Sequence, residues 1–227
     1  MIPSKAYIIR ISSDISREYA DICAESCEKV GLPYEFFEGV ENMRSYDAWV
    51  NTGLRIREGS MDHRKNQYGA DAAACCSVSH ALVWDRISKS GECAIILEHD
   101  VIMLYPVDRE IPDGRIVGLG YKISDPRKYN HVAAGPPRKI VDMTYMHGAH
   151  AYALTPATAS ALLRELEVEG GGGPIDNRFF MKQRTTKIPL SVIDPYAAIG
   201  WVRQSTIWDE ADVVTGFTTS TFFGNTP

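Results

Sequence analysis

Apolar and polar positions along the first forty residues predict a strand, a helix and a second strand. Residues 5–11 (KAYIIRI) carry the β-branched and aromatic side chains of a buried strand, and residues 12–14 offer N-caps for a helix that extends toward Val30. Residues 31–33 (GLP) end that helix, and residues 34–40 (YEFFEGV) predict the second strand. This succession favours parallel pairing, so the chain is predicted to be an α/β protein.

The middle of the chain predicts a long helix followed by a buried strand. Residues 41–69 are polar and poorly periodic, which predicts loops and short helices. Residues 70–90 have a helical pattern and end at Gly91, the residue type that often follows a last helical turn. Residues 93–97 (CAIIL) are uninterrupted apolar positions, as expected for a central strand covered on both faces.

The second half of the chain continues the alternation of strands and helices. Strands are predicted over residues 115–121 and 151–154. A helix that Thr155 caps follows as far as about residue 169. The glycine-rich turn after it leads to a short helix over residues 175–181.

The sequence contains no internal repeat or linker, so residues 1–227 are predicted to form a single domain. Residues 122–142 are rich in proline, glycine and charge and are too long for a simple connection, so they are predicted to be a substrate-facing loop. A short strand near Ile188 precedes a Ser/Thr-rich stretch, of which residues 212–227 are predicted to be a mobile tail.

Composition excludes several classes of protein. The chain has 24 Lys and Arg against 29 Asp and Glu, a net charge of −5, which argues against non-specific coating of nucleic acid. Its five cysteines include no CxxC pair, so no disulfide framework is expected, and Cys23 and Cys27 are interpreted as small buried side chains rather than zinc ligands. No apolar run approaches the roughly 20 residues of a membrane span. No secretory signal is visible, so a cytoplasmic location is expected.

Two carboxylates directly follow the predicted central strand. Glu98 and Asp100 flank His99 where residues 93–97 end, and open α/β sheets bind ligands at the carboxyl ends of their strands. Because carboxylate oxygens are hard ligands, the pair is predicted to hold Mg²⁺ or Mn²⁺ together with substrate phosphates. A solvated surface turn is the alternative, and His99 is either an additional ligand or points away.

His147, His150 and Asp176 are the other candidates for chemistry. The two histidines lie three residues apart before the predicted strand at 151–154, where one of them could complete a metal site, bind a phosphate or serve a structural role. Asp176 follows the glycine-rich turn and is a candidate general base for a hydroxyl proton, with helix capping as the alternative.

Several segments together resemble glycosyltransferase family 25, the group of lipooligosaccharide galactosyltransferases to which collagen galactosyltransferases are related. The resemblance extends over most of the chain, and its specificity comes from the order and spacing of the segments. These are the first strand with Arg17 in the helix after it, residues 32–36 (LPYEF), 39–40 (GV), 74–80 (ACCSVSH) with Trp84, 94–101 (AIILEHDV), 147–152 (HGAHAY), 174–176 (PID) and 205–207 (STI).

The resemblance implies a single GT-A-like, nucleotide-sugar-binding domain with a mostly parallel, Rossmann-like sheet flanked by helices. It also implies an inverting transferase that moves a hexose, galactose or glucose, from a UDP-sugar to a hydroxyl acceptor with the help of Mn²⁺ or Mg²⁺, as in lipopolysaccharide biosynthesis. The residues that it assigns to donor binding are Arg17, Ser79, His80, Glu98 and His150. Asp100 and Glu98 are assigned to the metal, with His147 as the histidine that could complete the site, and Asp176 is placed toward the acceptor, where it is the candidate catalytic base.

The chain departs from the family where Glu98-His99-Asp100 replaces the usual Glu-Asp-Asp. An imidazole in place of a carboxylate lowers the negative charge and softens the ligand set. This departure keeps a non-catalytic nucleotide- or glycan-binding relative open as an alternative. A metal-dependent phosphohydrolase is a further, lower-ranked alternative.

The acceptor is predicted from charge alone. Basic residues group in the predicted loop and after Asp176, which favours an anionic acceptor such as a lipopolysaccharide core or, as an alternative, a hydroxylated base in DNA. A solvated charged loop is the simpler interpretation. The residues concerned are Arg127, Lys128, His131, Arg138, Lys139, Arg178, Lys182, Arg184 and Lys187.

Overall fold

The computed structural model describes residues 1–54, 70–120, 122–123, 130–146, 148–170, 175–180 and 186–201. Its strands are β1 (Lys5–Arg10), β2 (Tyr34–Glu38), β3 (Ala94–Glu98), β4 (Val101–Met103), β5 (Ile116–Gly118), β6 (Lys122–Ile123), β7 (Lys139–Met143), β8 (Ala151–Leu154), β9 (Leu190–Asp194) and β10 (Ala198–Trp201). Its helices are α1 (Asp14–Lys29), α2 (Ser45–Val50), α3 (Ala70–Ser90), α4 (His131–Ala134), α5 (Pro156–Glu169) and α6 (Ile175–Phe179).

Seven strands form one mixed sheet in the order β2-β1-β3-β8-β5-β9-β7. Strand β1 is parallel to β2 and β3, and β5 is parallel to β9. Strand β8 lies antiparallel between β3 and β5, and β7 lies antiparallel beside β9. Five of the seven strands therefore point the same way. The predicted α/β class with a mostly parallel central sheet is confirmed.

The first β-α-β unit, β1-α1-β2, has the capping serine and the glycine that the sequence predicts at the two ends of its helix. The Ser13 side chain accepts a hydrogen bond from the Ser16 N–H and caps α1, and Gly31 turns the chain after the helix with a φ of 70°. Strand β2 then returns parallel to β1, with Ala6 opposite Tyr34. The structure also confirms the predicted helix over 70–90 as α3 and the helix after Thr155 as α5.

Alternate residues of β1 face two separate apolar clusters, one on each side of the sheet. Tyr7 packs in a cluster with Trp84 of α3 and with side chains of α5. Ala6 packs in a second cluster with Cys23 and Cys27 of α1. All five cysteines are free, and these two are buried, as predicted. The helices therefore cover both faces of the sheet, and its strand ends remain available for a site.

A second, three-stranded sheet in the order β4-β10-β6 begins directly after β3. Strand β10 is antiparallel to β4 and parallel to β6. The backbone after β5 passes close to this sheet at Gly120, where a Cβ would lie 1.7 Å from the Ala198 carbonyl oxygen. The sequence patterns did not predict this sheet, because its strands are two to four residues long.

The predicted substrate-facing loop over residues 122–142 contains β6, α4 and the first residues of β7. Its role in substrate binding stays a prediction, as does the single domain over residues 1–227. The predicted mobile tail over residues 212–227 lies outside the described residues.

Candidate active site

The reversed direction of β8 brings His150 next to Glu98. Glu98 ends β3, and His150 directly precedes β8, so the antiparallel pair places Leu97 opposite Ala151. The Glu98 N–H donates a hydrogen bond to the His150 carbonyl oxygen at 2.8 Å. Asp100 lies in the two-residue turn between β3 and β4. The three side chains therefore meet at the carboxyl end of β3, where α/β sheets commonly bind ligands.

Two histidines contact the Glu98 carboxylate. Glu98 Oε2 lies 2.6 Å from His150 Nδ1, and Oε1 lies 3.3 Å from Nε2 of the fully buried His80. His150 Nδ1 is also 3.9 Å from Asp100 Oδ1. Because each oxygen of Glu98 has its own imidazole partner, the orientation of the carboxylate is fixed from both sides.

A buried hydrogen-bond chain orients the His80 ring. The Trp84 Nε1–H donates to the Tyr152 Oη at 2.8 Å, and the same Oη lies 2.8 Å from His80 Nδ1. Since Oη accepts from Trp84, its own proton is available to Nδ1. This pattern assigns the proton of a neutral His80 to Nε2, from which it points at Glu98.

Glu98 and His150 form an ion pair whose attraction outweighs burial. Burial disfavours the charged form of Glu98, but the His150 charge and the hydrogen bonds from both histidines hold the pKa of Glu98 well below its usual range. Burial likewise opposes the charge on His150, but Glu98, with help from Asp100 and Asp176, raises the pKa of His150 to about 9. At neutral pH the pair is therefore a carboxylate and an imidazolium.

Two glycines make room for the His150 ring. A Cβ at Gly148 would lie 2.1 Å from His150 Nε2, and a Cβ at Gly200 would lie 3.0 Å from His150 Cγ. Gly148 also has a φ of 82°, a conformation that glycine adopts more readily than other residues. Since Gly200 belongs to β10, the second sheet supplies one wall of the site.

We expect Gly148→Ala to lower the free energy of unfolding by about 2–5 kcal/mol, because the positive φ costs about 1–2 kcal/mol and displacement of a buried ring by the new methyl costs about 1–3 kcal/mol. Gly91→Ala is the matched control, since Gly91 has a φ of 74° and a Cβ there would have no neighbour within 4 Å. In the control, the free energy of unfolding should fall only by the cost of the positive φ angle, about 1–2 kcal/mol. Urea denaturation measures both values, and equal losses would contradict the packing of Gly148 against His150.

Asp176 lies in α6, and its Oδ1 accepts a hydrogen bond from the Ala149 N–H at 2.9 Å. The start of α6 is anchored on α3, because the Ile175 N–H donates to Ser77 Oγ at 3.0 Å. Burial and the negative charge of Glu98 raise the pKa of Asp176, although His150 and His80 act against this shift. Asp176 thus lies beside the Glu98 ion pair as a carboxylate with increased proton affinity.

Glu98 and Asp100 supply the carboxylate oxygens that Mg²⁺ and Mn²⁺ prefer, and their ligand atoms lie within 4.8 Å of each other and of His150. Adjacent ligands of an octahedral cation with bonds of about 2.1 Å are roughly 3 Å apart. The 2.6 Å between Glu98 and His150 is shorter, so it is a hydrogen bond, and His150 is not a ligand in this arrangement. The two carboxylates fit a hard divalent cation, with His150 as their cationic neighbour.

The first half of the chain, which includes part of this site, is similar to a known family. Residues 4–107 match the model of a family described as glycosyltransferase family 25 (LPS biosynthesis protein). The match covers a little less than half of the chain. The family 25 resemblance found in the sequence is thereby confirmed for these residues. The family 25 segment includes Glu98 and Asp100 and ends before His150 and Asp176.

One solved structure with similarity to the chain is the crystal structure of the apo-form glycosyltransferase GlyE in Streptococcus pneumoniae TIGR4, with a TM-score of 0.36 and 7% sequence identity. The alignment covers 72% of this chain and 37% of that chain, so the chain spans little more than a third of that protein's length. The search of curated proteins gives no significant match. Among the described residues, no helix has the length and apolar character needed to cross a membrane.

Two residues that the family 25 resemblance assigns to donor binding, Arg17 and Ser79, contact residues other than Glu98 and His150. Arg17 of α1 places its Nη2 3.5 Å from Glu38 Oε2. Ser79 of α3 is buried; its hydroxyl donates to the Cys75 carbonyl oxygen at 2.7 Å and accepts from the Val40 N–H at 2.8 Å. Neither side chain contacts Glu98 in the part of the chain that the structure describes. Ser79 thus connects the chain after β2 to α3, and the donor-binding roles of both residues stay predictions.

The two remaining histidine predictions have different outcomes. His99 turns toward α1, where its ring stacks on Tyr19 with ring centroids 6.1 Å apart. Of the two alternatives for His99, the structure therefore shows the one in which it points away from Glu98. His147 lies outside the described residues, so its assignment as a metal ligand stays a prediction.

Cys76 and Tyr152 lie at this site, although neither was predicted from the sequence as a site residue. The Tyr152 hydroxyl contacts His80 Nδ1 at 2.8 Å. The Cys76 sulfur lies within 4.8 Å of the ligand atoms of His80 and Glu98. A signal for Cys76 was present, because it lies four residues before His80 on a predicted helix and must share its face. The sequence predicts Tyr152 only as a strand residue, because its partners His80 and Trp84 are about 70 positions away in the chain.

Three of the basic residues that suggested an anionic acceptor have partners within the described part of the chain. Arg138 donates to the Ala134 carbonyl oxygen, Lys139 lies 3.5 Å from Asp194, and Arg178 is half-buried against α5. Those outside the described residues, or with an undescribed side chain, are Arg127, Lys128, His131, Lys182 and Arg184. The described residues thus give no support to a DNA acceptor.

Proposed function

We propose that this protein is an inverting hexosyltransferase with a GT-A-like domain, which transfers galactose or glucose from a UDP-sugar to a hydroxyl group of a glycan acceptor. The observation that carries the proposal is the proximity of two kinds of carboxylate at one edge of the sheet. Glu98 is held ionised by two histidines, whereas the half-buried Asp176 has a raised pKa. Two carboxylates whose environments separate their pKa values are typical of an acid–base site.

The donor would lie across the carboxyl ends of β1 and β3. The match to family 25 supports a nucleotide-sugar donor, and the end of β3 provides Glu98 and Asp100. We assign these two residues to a divalent cation, Mn²⁺ or Mg²⁺, because their oxygens fit it. When bound, such a cation neutralises the charge of the departing nucleoside diphosphate.

His150 and His80 would act on the donor side through Glu98. The His150 imidazolium is buried, is fixed by Gly148 and Gly200, and carries a positive charge next to both carboxylates. This charge also favours the phosphate groups of the donor. His80 orients Glu98 from the opposite side. Arg17, Ser79 and His147 complete the proposed donor-binding set.

Asp176 would act as the general base. Its Oδ1 is held by the Ala149 N–H, and Oδ2 makes no hydrogen bond to another described residue. A carboxylate with a raised pKa takes a hydroxyl proton more readily than an exposed one. The acceptor hydroxyl, deprotonated by Asp176, attacks the anomeric carbon in line with the leaving diphosphate, and a single displacement inverts that centre.

The proposal is tested with a panel of UDP-, GDP-, CMP- and dTDP-sugars, each with and without Mn²⁺ or Mg²⁺. We expect a UDP-sugar to raise the melting temperature and release its nucleotide slowly, in a metal-dependent way. Asp100→Ala should weaken this binding at least about 10-fold, which is about 1.4 kcal/mol. Asp113→Ala, at an exposed turn, is the control that keeps binding.

The outcome of this panel separates the enzyme from its alternative. If no donor changes the melting temperature and none is turned over, the protein is better explained as a non-catalytic binding relative of the family. If Asp100→Ala binds and turns over the donor as the wild type does, the assignment of the cation to Asp100 is wrong.

A further inference from the structure

A second group of potential ligands lies beneath the Glu98 carboxylate. Cys76 and His80 are four residues apart on one face of α3, and both side chains point toward the end of β3. The ligand atoms of Cys76, His80 and Glu98 all lie within 4.8 Å of one another. This group shares Glu98 with the carboxylate pair described above, but it adds a sulfur and a second imidazole.

The spacing within this group fits a small tetrahedral cation. Two nitrogen or oxygen ligands with bonds of about 2.0–2.1 Å to zinc are roughly 3.3–3.4 Å apart when the geometry is tetrahedral. The distance between His80 Nε2 and Glu98 Oε1 is 3.3 Å. These two atoms therefore require little movement to bind one ion, in contrast to the 2.6 Å pair of Glu98 and His150.

The surroundings of His80 also resemble those of a metal ligand. Metal-binding histidines usually have their second ring nitrogen held by an oxygen, which fixes the ring orientation. His80 Nδ1 lies 2.8 Å from Tyr152 Oη, and Trp84 holds that oxygen in turn. Zinc binding at Nε2 moves the ring proton to Nδ1, where Oη can accept it because a phenol oxygen has two lone pairs, and the Nε2 lone pair is then free to bind the metal beside Glu98 and Cys76.

Local charge favours a cation at this position. Burial, together with the negative charges of Glu98 and Asp176, raises the pKa of the Cys76 thiol. The same negative charges attract a dication, which can replace the thiol proton because a metal binds the thiolate. A thiolate and an imidazole prefer Zn²⁺ to Mg²⁺ or Mn²⁺.

We propose that Cys76, His80 and Glu98 form a binding site for Zn²⁺, with a fourth position open to water. The site differs from the hard-cation position at Asp100 in both its ligands and its metal preference. Because Zn²⁺ takes Glu98 as a ligand, Glu98 is no longer available to the hard cation at Asp100, and sugar transfer is inhibited. The inhibition rests on the proposed function, whereas zinc binding itself does not.

Zinc binding is tested on the full, metal-free protein by competition with a chromophoric chelator. We expect one Zn²⁺ per chain in the wild type. Cys76→Ser should lose more than about 100-fold in affinity, because loss of a supporting partner outside the ligand set already costs about 10- to 100-fold. Cys75→Ser is the matched control: the neighbouring thiol donates to the Met43 carbonyl oxygen and is not in the group.

A spectroscopic measurement tests the sulfur ligand directly. Co²⁺ added to the wild type and to Cys75→Ser should give the absorption band of a thiolate–cobalt bond, and Cys76→Ser should lack it. A wild type that binds no Zn²⁺, or equal affinity in the wild type and Cys76→Ser, would overturn the site. If zinc binds through Cys76 but sugar transfer continues at the same rate, the proposed inhibition is wrong. If the metal-free protein, supplied with Mn²⁺ or Mg²⁺, transfers no sugar even without zinc, the proposed function is wrong.

Discussion

Asp176→Asn is expected to lower sugar transfer by about 10²- to 10⁴-fold, the usual contribution of a general base. The amide cannot take the proton of the acceptor hydroxyl. It retains an oxygen that accepts from the Ala149 N–H, so the start of α6 should keep its position. Initial rates with the donor identified by the nucleotide panel and a hydroxyl acceptor measure the effect.

The control for Asp176→Asn is the binding of the donor. The variant should show the same donor-induced rise in melting temperature as the wild type, because we place Asp176 on the acceptor side. Asp113→Asn, at an exposed position, should transfer at the wild-type rate. Wild-type transfer by Asp176→Asn would show that another group takes the proton.

The ion pair of Glu98 and His150 is expected to give the stability of the protein a specific pH dependence. The pKa of His150 is raised from 6.5 to about 9 in the folded state. Its contribution is therefore fully present below pH 6.5 and is lost as the pH rises toward 9. The free energy of unfolding should fall by up to about 1.4 kcal/mol per pH unit in that window.

The acid side of the profile has the opposite sign. Because the pKa of Glu98 is held well below its usual value of 4.5, its contribution is present above pH 4.5 and is lost as the pH falls through the folded pKa. The Glu98–His150 contribution is therefore greatest between pH 4.5 and 6.5.

Urea denaturation at pH values from about 6 to 8.5, below the range in which thiols are fully ionised, measures the alkaline limb. His150→Gln is the test variant, since its amide can donate to Glu98 but does not titrate. We expect this variant to be less stable than the wild type at pH 6.5 and to lose less stability as the pH rises. The same slope in both proteins would mean that His150 is not the titrating group.

Much of the fold could be predicted because its first half follows local rules. Helix α1 has a capping serine, α1 and α3 are each followed by a glycine, and the segment from β1 to β2 is a standard β-α-β unit. The direction of β8 could not be predicted. A run of four apolar residues, AYAL, fits a buried strand in either direction, and only its neighbours in the sheet decide the choice.

The same limit applies to the candidate site. Glu98, Asp100 and Asp176 were predictable because each carboxylate follows a local break in the pattern, a strand end or a glycine-rich turn. The ion pair of Glu98 and His150 was not, because it depends on the register of β3 against β8. Cys76 was not predicted as a site residue, because its position next to Glu98 depends on how α3 packs against the sheet.

The insertion of β8 between β3 and β5 has a consequence for the order of folding during synthesis. The family 25 segment, residues 4–107, leaves the ribosome before residues 151–154, so β3 emerges with an unpaired edge. Unpaired apolar edges are sites of aggregation, and chains generally fold from the N-terminus as they are made. The nascent chain therefore needs β8 to cover that edge, and the arrival of β8 also brings His150 to Glu98. Protection of the sheet and assembly of the ion pair are thus one event in the folding of this chain.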